Sequence, residues 1–313
     1  MKARVVTVFG GSGFIGRYVV EKLAAQGDLL RVAVRRPGDA LFLKPLGDLG
    51  QVQPIAANLK NEASVRRAVV GADCVINLVG VLFNAGGQTF KALQHEGAGR
   101  VARAAADAGV KHVVHMSALG AARASESEYA RTKALGEEAV LEAFPGATIF
   151  RPSVVFGPKD GFFNRFASLA AKLPVLPVPG AETKFQPVYV RDVAAAIVKA
   201  SGGGEAVTGK TFSLGGPEAL SLRACLEIMM RYTGVTRPIV NVPWWIADME
   251  ALFLGMLPNP PLTRDQVKLL RVDNVVPEGA LGFKALGITP SRIEAVLPRF
   301  MVHHKRHGQF KAS

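Results

Sequence analysis

Three glycines spaced three residues apart, Gly10, Gly13 and Gly16, follow directly on the run Arg4-Val5-Val6-Thr7-Val8-Phe9 and lead directly into an amphipathic segment. A chain with this order has few ways to fold. The β-branched run reads as a buried strand, the first glycine supplies a sharp turn, and residues from about 14 to 26 read as a helix packed back on the strand. A Cβ at Gly10 or Gly13 would obstruct close approach of the backbone to two phosphates, while Gly16 lets the helix pack on the strand. The N-terminal N–H groups of that helix and the positive end of its dipole point to the same place. Gly10-Gly11-Ser12-Gly13-Phe14-Ile15-Gly16 therefore reads as a dinucleotide pyrophosphate site rather than a glycine-rich structural turn, because strand, turn and helix occur in the required order.

The end of the second strand selects the nucleotide. Residues Leu29-Leu30-Arg31-Val32-Ala33-Val34-Arg35-Arg36-Pro37 carry no acid where a carboxylate would bond the adenosine ribose hydroxyls and repel a 2′-phosphate. Arg35 and Arg36 stand there instead, and charge-assisted bonds from them to a 2′-phosphate favour NADP(H) over NAD(H). The alternative is a pair of solvated surface arginines. Asn58 and Leu59, closing the third strand, are placed to cover the adenine. Leu78, Val79 and Gly80, closing the fourth, are placed beneath the ribose and nicotinamide.

Apolar strands near 4–9, 29–34, 52–56, 73–79, 111–116 and 147–151 alternate with helical patterns near 14–26, 61–70, 88–108 and 126–144. That alternation predicts an α/β fold, a Rossmann-type doubly wound parallel sheet over residues 1–155. From Phe156 onward the regularity fails and prolines accumulate. Residues 156–313 are expected to form a smaller irregular substrate or partner region, which crosses back to the first part over about 185–200 with a helix capped by Asp192. No clean linker separates the two.

Cys74 and Cys225 make no disulfide framework or metal spacing, fit a reducing compartment and are read as core residues. The first strand begins too near Met1 for a signal or transit peptide, so the protein is expected to stay in the cytoplasm where it is made, or to be a processed form. No charge-free apolar stretch is long enough to span a bilayer. The nearest candidate, 242–257, contains Trp244 and Trp245 but also Asp248 and Glu250; it reads as a core helix, with an interfacial helix as the alternative. The net charge of +13 implies acidic partners. Its distribution favours a basic tail over 299–313, with Arg299, Lys305, Arg306 and Lys311 beside His303, His304 and His307, suited to an anionic membrane surface on the inner face or an acidic protein rather than to nucleic acid. No metal site is expected from these histidines.

Chemistry is expected from Tyr129 and Lys133. Four residues apart on a helix, the phenol and the ammonium share a face, and the ammonium should lower the phenol's pKa. Beside a nicotinamide, such a phenol can serve as general acid in carbonyl reduction or as general base in alcohol oxidation, with Lys133 holding the ribose. Ser117, closing the fifth strand, is placed to hydrogen-bond the substrate oxygen. A tyrosine and a lysine four apart are common on helix surfaces; the glycine turn and the strand-end serine make the set specific.

With Gly10–Gly16, Tyr129/Lys133 and Arg151-Pro152-Ser153-Val154-Val155-Phe156-Gly157-Pro158, the chain resembles the extended and atypical short-chain dehydrogenase/reductases over residues 1 to about 200. The resemblance adds Pro152, Ser153 and Val154 to the expected cofactor contacts. Further segments, Phe162–Ala167, Gln186–Val193, Pro261–Leu270 and Asp273–Val276, look like the reductase-like accessory subunits of respiratory complex I and their bacterial relatives. That resemblance implies complex I subunits as partners and an NADPH whose role is structural. The residues themselves are equally compatible with an active NADP-dependent oxidoreductase or epimerase acting on a hydrophobic quinone-like or carbonyl substrate. A third reading, a sensor of the NADPH/NADP+ ratio, is disfavoured by retention of the tyrosine and lysine.

Overall fold

The computed structural model describes residues 3–257 and 260–304. Two compact units emerge. The first contains the chain up to Pro152 together with Arg191–Leu214 and Gly279–Ile288; the second contains Ser153–Val190, Gly215–Glu278 and the residues from Thr289.

The first unit is built on β1 (Val5–Phe9), β2 (Leu29–Val34), β3 (Val52–Ala56), β4 (Cys74–Asn77), β5 (His112–Met116) and β6 (Thr148–Pro152). They interleave with the helices α1 (Phe14–Ala25), α2 (Glu62–Val69), α3 (Glu96–Asp107) and α4 (Glu128–Ala143). All pairings are parallel, in the order β3-β2-β1-β4-β5-β6, with Thr211–Leu214 added beside β6 as a seventh strand. The chain reverses direction across the sheet between β1 and β4, so the carboxyl ends of both strands open on one crevice, the usual ligand position in such sheets. Val6, Val8, Val32, Val75, Val113 and Ile149 are fully or almost fully buried, as strands covered on both faces require. Asn61 and Ser127 cap α2 and α4 by accepting from the backbone N–H of Ser64 and Ala130.

Several local expectations change. The helix expected over 88–108 is interrupted by a π-helical turn, Lys91–His95, before α3 begins. Gly136 of α4 crosses there so closely that a Cβ would overlap the Gln94 carbonyl oxygen. The expected fourth strand ends at Asn77, and residues 78–80 run on as an irregular segment. The return helix is Val190–Ser201, starting two residues before Asp192. Asp192 therefore lies in the first turn rather than capping it, still at the positive end of the dipole. The sequence pattern gives no sign of the short return Gly279–Ile288, which the Ser213 N–H anchors by donating to the Leu281 carbonyl at 2.8 Å.

Within the second unit the proline-rich stretch is ordered. Leu176–Pro179 pairs in parallel with Ile239–Val242, and Val155–Phe156 with Val188–Tyr189. Cys74 and Cys225 are buried, and burial pushes both thiols up to about 12. The core-helix reading of residues 242–257 is overturned. The helix Trp244–Leu254 buries only Ala247 and Ala251, while Trp245 and Phe253 are 65% and 66% exposed. It carries apolar residues around its whole circumference, so the small alanine face packs and the large side chains face outward. Among the described residues no helix is long and apolar enough to cross a membrane. His303 and His304 end the described chain, His304 meeting Asn164 at 3.1 Å; Lys305, Arg306, His307 and Lys311 lie outside the described residues.

The crossing at Gly136 leads to a stability test. Gly136→Ala drives a methyl into the Gln94 carbonyl and should cost about 1–3 kcal/mol in denaturant unfolding despite alanine's better helix propensity. Unchanged stability would mean that the two helices can separate freely.

Candidate functional site

Apart from Ser153 and Val154 with their partners, the residues of this site belong to the first unit. β1 ends at Phe9, and Gly10 turns the chain with φ +76°, a conformation that excludes ordinary side chains. A Cβ on Gly10 would also press on the Leu78 carbonyl and the Val79 nitrogen at 3.2 Å, so the turn and residues 78–80 lie in direct contact. At Gly16 a Cβ would overlap the Gly10 carbonyl oxygen, which fixes α1 directly against the turn. At Gly13, by contrast, only the Gly10 oxygen lies within 4 Å of the added carbon. The space beyond is free for a ligand.

Gly13 is the N-cap of α1 and offers no side chain to its first N–H groups, and the first turn carries no acid. Donors and positive dipole thus remain available for an anion. Ser12, Phe14 and Ile15 are partly exposed around this end. Arg35 and Arg36 follow β2 directly and are exposed; Arg36 Nε pairs with Asp39 at 2.8 Å, and that pair is weak because both partners are well solvated. Sequence reasoning missed Arg17. Its Nε donates to the Gly13 carbonyl at 3.3 Å and its guanidinium lies over the Phe42 ring, 5.5 Å from the centroid, so a third cation stands at the turn. A basic residue immediately after the last glycine is the signal that could have found it.

At the end of β3 the Asn58 Oδ1 accepts from the Lys60 N–H at 3.0 Å, closing an Asx turn. Leu59 is buried in the hydrophobic core and its carbonyl accepts from Arg100. Val79 packs on the same core, and Gly80 lies so close to Lys133 that an added Cβ would be 3.3 Å from Nζ. A continuous path therefore runs from the glycine turn through 78–80 to Lys133.

Lys133 is buried and its Nζ donates to the Met116 carbonyl at 3.1 Å. Burial lowers the ammonium to about 8, opposed by Glu137 one turn on, which is itself buried and bonded by Arg151 of β6. Tyr129 lies edge-on to Phe90 at 5.8 Å, with Lys133 Nζ 5.9 Å from its ring centroid. The expectation that Lys133 lowers the phenol's pKa fails. Burial dominates and pushes Tyr129 up to about 12. The phenol holds its proton at neutral pH, which suits a proton donor.

Ser117 is buried just beyond β5, and its hydroxyl has no hydrogen-bond partner among the described residues. Pro152 ends β6, its carbonyl taken by the Leu119 N–H at 3.0 Å. Ser153 and Val154 belong to the second unit. There the Ser153 hydroxyl donates to Asn274 and accepts from the Gln186 N–H, and the Val154 carbonyl accepts from Val188. The structure therefore gathers the glycine turn, 78–80, Lys133, Tyr129 and Ser117 in one unit and commits the Ser153 side chain elsewhere. The cradle at Gly13, the uncapped helix and the orphaned Ser117 hydroxyl fit a dinucleotide.

The chain matches the model of the NAD dependent epimerase/dehydratase family over residues 6–215. It is 36% identical to the mitochondrial NADH dehydrogenase [ubiquinone] 1 alpha subcomplex subunit 9 of Arabidopsis thaliana, across 97% of this chain and 79% of that protein. The Mus musculus counterpart is 34% identical over 97% of this chain and 81% of its own length. In three dimensions it is similar to the NADPH-dependent quinone oxidoreductase QOR2 of Escherichia coli complexed with NADPH, at a TM-score of 0.74 and 18% identity over 95% of this chain and 99% of that one, which shows the shared fold.

Lys133 gives this site a pH signature. Unfolded, the amine keeps its proton up to its ordinary value of 10.5; folded, it releases it near 8, so between these values the unfolded state binds more protons and rising pH favours folding. Measured against Lys133→Met, wild-type stability should be flat below pH 8 and rise toward pH 10.5, by on the order of 3 kcal/mol at about 1.4 kcal/mol per unit. A flat difference across that window would show that the ammonium is not desolvated.

With the glycine turn, the parallel sheet and these similarities together, the chain is a member of the NAD dependent epimerase/dehydratase family of NAD(P)-binding proteins.

Proposed function

We propose that the protein is an NADPH-binding accessory or assembly component of a respiratory NADH:ubiquinone oxidoreductase. The extent of the likeness carries this reading. The family model stops at residue 215, whereas the subunit 9 relatives match over 97% of the chain, so their similarity takes in the second unit as well as the nucleotide-binding one. The exposed apolar side chains of helix Trp244–Leu254 support a partner-binding role. The cations from Arg299 onward support an acidic protein surface or anionic headgroups as what they meet, at the inner face of a membrane.

In this reading the turn Gly10–Gly16 takes the pyrophosphate, Arg35 and Arg36 the 2′-phosphate, residues 78–80 line the ribose and nicotinamide, and Lys133 holds the nicotinamide ribose. Asn58, Leu59, Pro152 and the backbone of Ser153 and Val154 complete the set carried over from the sequence.

A second reading rests on a separate observation: Lys133 Nζ lies 5.9 Å from the ring centroid of the proton-loaded Tyr129 and donates to the carbonyl of Met116, the residue before Ser117, whose hydroxyl has no partner among the described residues. That pair suits reduction of a carbonyl or quinone: Ser117 donates a hydrogen bond to the substrate oxygen, Tyr129 gives it a proton, and the Lys133 ammonium limits the cost of the resulting phenolate. A bound NADPH supplies the hydride.

Two measurements test these readings. Replacing Arg35 and Arg36 by alanine should weaken NADPH binding by about 1.5–3 kcal/mol per lost charged contact and leave NADH binding nearly unchanged; equal losses would refute the 2′-phosphate assignment. Purification from membranes in mild detergent should yield stoichiometric co-migration with the respiratory oxidoreductase and NADPH that added quinones and carbonyl compounds do not oxidise. A free protein that consumes NADPH supports the enzyme reading instead.

A further inference from the structure

The first unit holds a chain of buried polar side chains that leads to Ser117 through two residues, Asn77 and His115, that neither reading above uses. Asn77, at the end of β4, and His115, its register partner on β5, are each 1% exposed, and Ser117 is 3% exposed. The Asn77 Oδ1 accepts from the Val79 N–H at 3.2 Å. That bond fixes which way the amide points, because a backbone N–H can only donate. The Asn77 Nδ2 must then face His115 Nδ1, 3.3 Å away, and it can only donate as well. His115 Nδ1 is therefore an acceptor, and in a neutral imidazole the proton has to sit on Nε2. Burial, helped by the Lys133 ammonium, keeps the ring neutral by lowering its pKa to about 3.

This logic turns an orphaned atom into an aimed donor. His115 Nε2 and Ser117 Oγ are the buried side-chain polar atoms without a hydrogen-bond partner among the described residues. They belong to residues two apart: Ser117 lies one residue past the end of β5, but its N–H still donates to the Phe150 carbonyl at 2.7 Å in continuation of the β5–β6 register, and on backbone that stays extended two such side chains leave on the same side, about 7 Å apart at the backbone. Buried donors and acceptors left unpaired cost about 1–3 kcal/mol each, a cost that a single water bonded to both would remove.

We propose that Asn77 and His115 are positioning residues for Ser117: His115 Nε2–H donates through one ordered water to Ser117 Oγ, which leaves the Ser117 hydroxyl hydrogen to point at the substrate oxygen. The polarity runs one way, from the Val79 N–H through Asn77 and His115 to Ser117. Every link donates toward the site, so Ser117 is held as a donor, as a carbonyl substrate requires. The proposal rests on the reductase reading of Ser117 for its consequence, but the network exists or fails independently of turnover.

The test is 15N NMR of the full chain labelled at histidine. The expected spectrum has His115 neutral with the proton on Nε2, slow to exchange, and Ser117→Ala shifts the Nε2 resonance while leaving Nδ1 in place. Asn77→Asp, which offers His115 Nδ1 an acceptor instead of a donor, should move the proton to Nδ1 and lower any carbonyl-reduction kcat at least tenfold with the KM for NADPH unchanged. A proton on Nδ1 in the wild type, or an Nε2 resonance indifferent to Ser117→Ala, overturns the proposal even if NADPH is consumed. The expected tautomer in a protein without turnover supports the network and refutes only the reductase reading.

Discussion

The contact on which the rest of the site depends is the one between Gly16 and the Gly10 carbonyl. No side chain fits there, so α1 abuts the turn that ends β1, and its free N–H groups are delivered to the crevice where the sheet reverses direction. The same turn presses on Leu78 and Val79, which lead to Gly80 and Lys133. One backbone crossing thus sets the spacing between the anion-binding end and the Tyr129–Lys133 face of α4. Van der Waals exclusion positions the site, and electrostatics then acts at the positions so fixed.

On α4 and in the segments around it the protein buries a set of polar groups: Thr132, Lys133 and Glu137 of the helix, with Asn77, Gln94, His115 and Ser117. Most are satisfied. Gln94 bridges the Val81 carbonyl at 2.7 Å and the Thr132 hydroxyl at 3.0 Å, and Arg151 answers Glu137. This set costs desolvation that an apolar core would avoid, and the cost falls on Lys133 and Tyr129, whose protonation equilibria both move. The displaced values are the electrostatic trace of placing charge beside a low-dielectric ligand crevice. They also explain why spacing alone misjudged the phenol: helical periodicity puts Lys133 near Tyr129, but only the packed structure reveals that burial of the ring outweighs the ammonium.

Much of the first unit is legible in the sequence because its signals are local. The β-branched runs, the glycine turn and the helical periodicities act within a few residues, and six sheet strands with four helices follow from them. What escaped depends on distant partners. The π-helical turn before α3 goes with Gly136 on another helix, the strand Thr211–Leu214 is defined by pairing with β6, and the return at Gly279–Ile288 rests on a bond to Ser213. Helix Trp244–Leu254 inverted expectation for a related reason. Hydrophobicity around its whole circumference predicts burial, but only the alanine face finds neighbours within the second unit. Arg17 and His115 were passed over because one basic residue after a glycine and one histidine in a strand look ordinary until Phe42, Gly13 and Asn77 are seen beside them.

The central claim is that the glycine turn and its arginines hold a 2′-phosphorylated dinucleotide. It is tested most directly by denaturing the freshly purified full-length protein and identifying the released nucleotide by mass spectrometry, with its ratio to protein chain. NADPH or NADP+ at about one per chain is the predicted result; NAD(H) in its place, or no nucleotide together with no binding of added NADPH, would contradict the account.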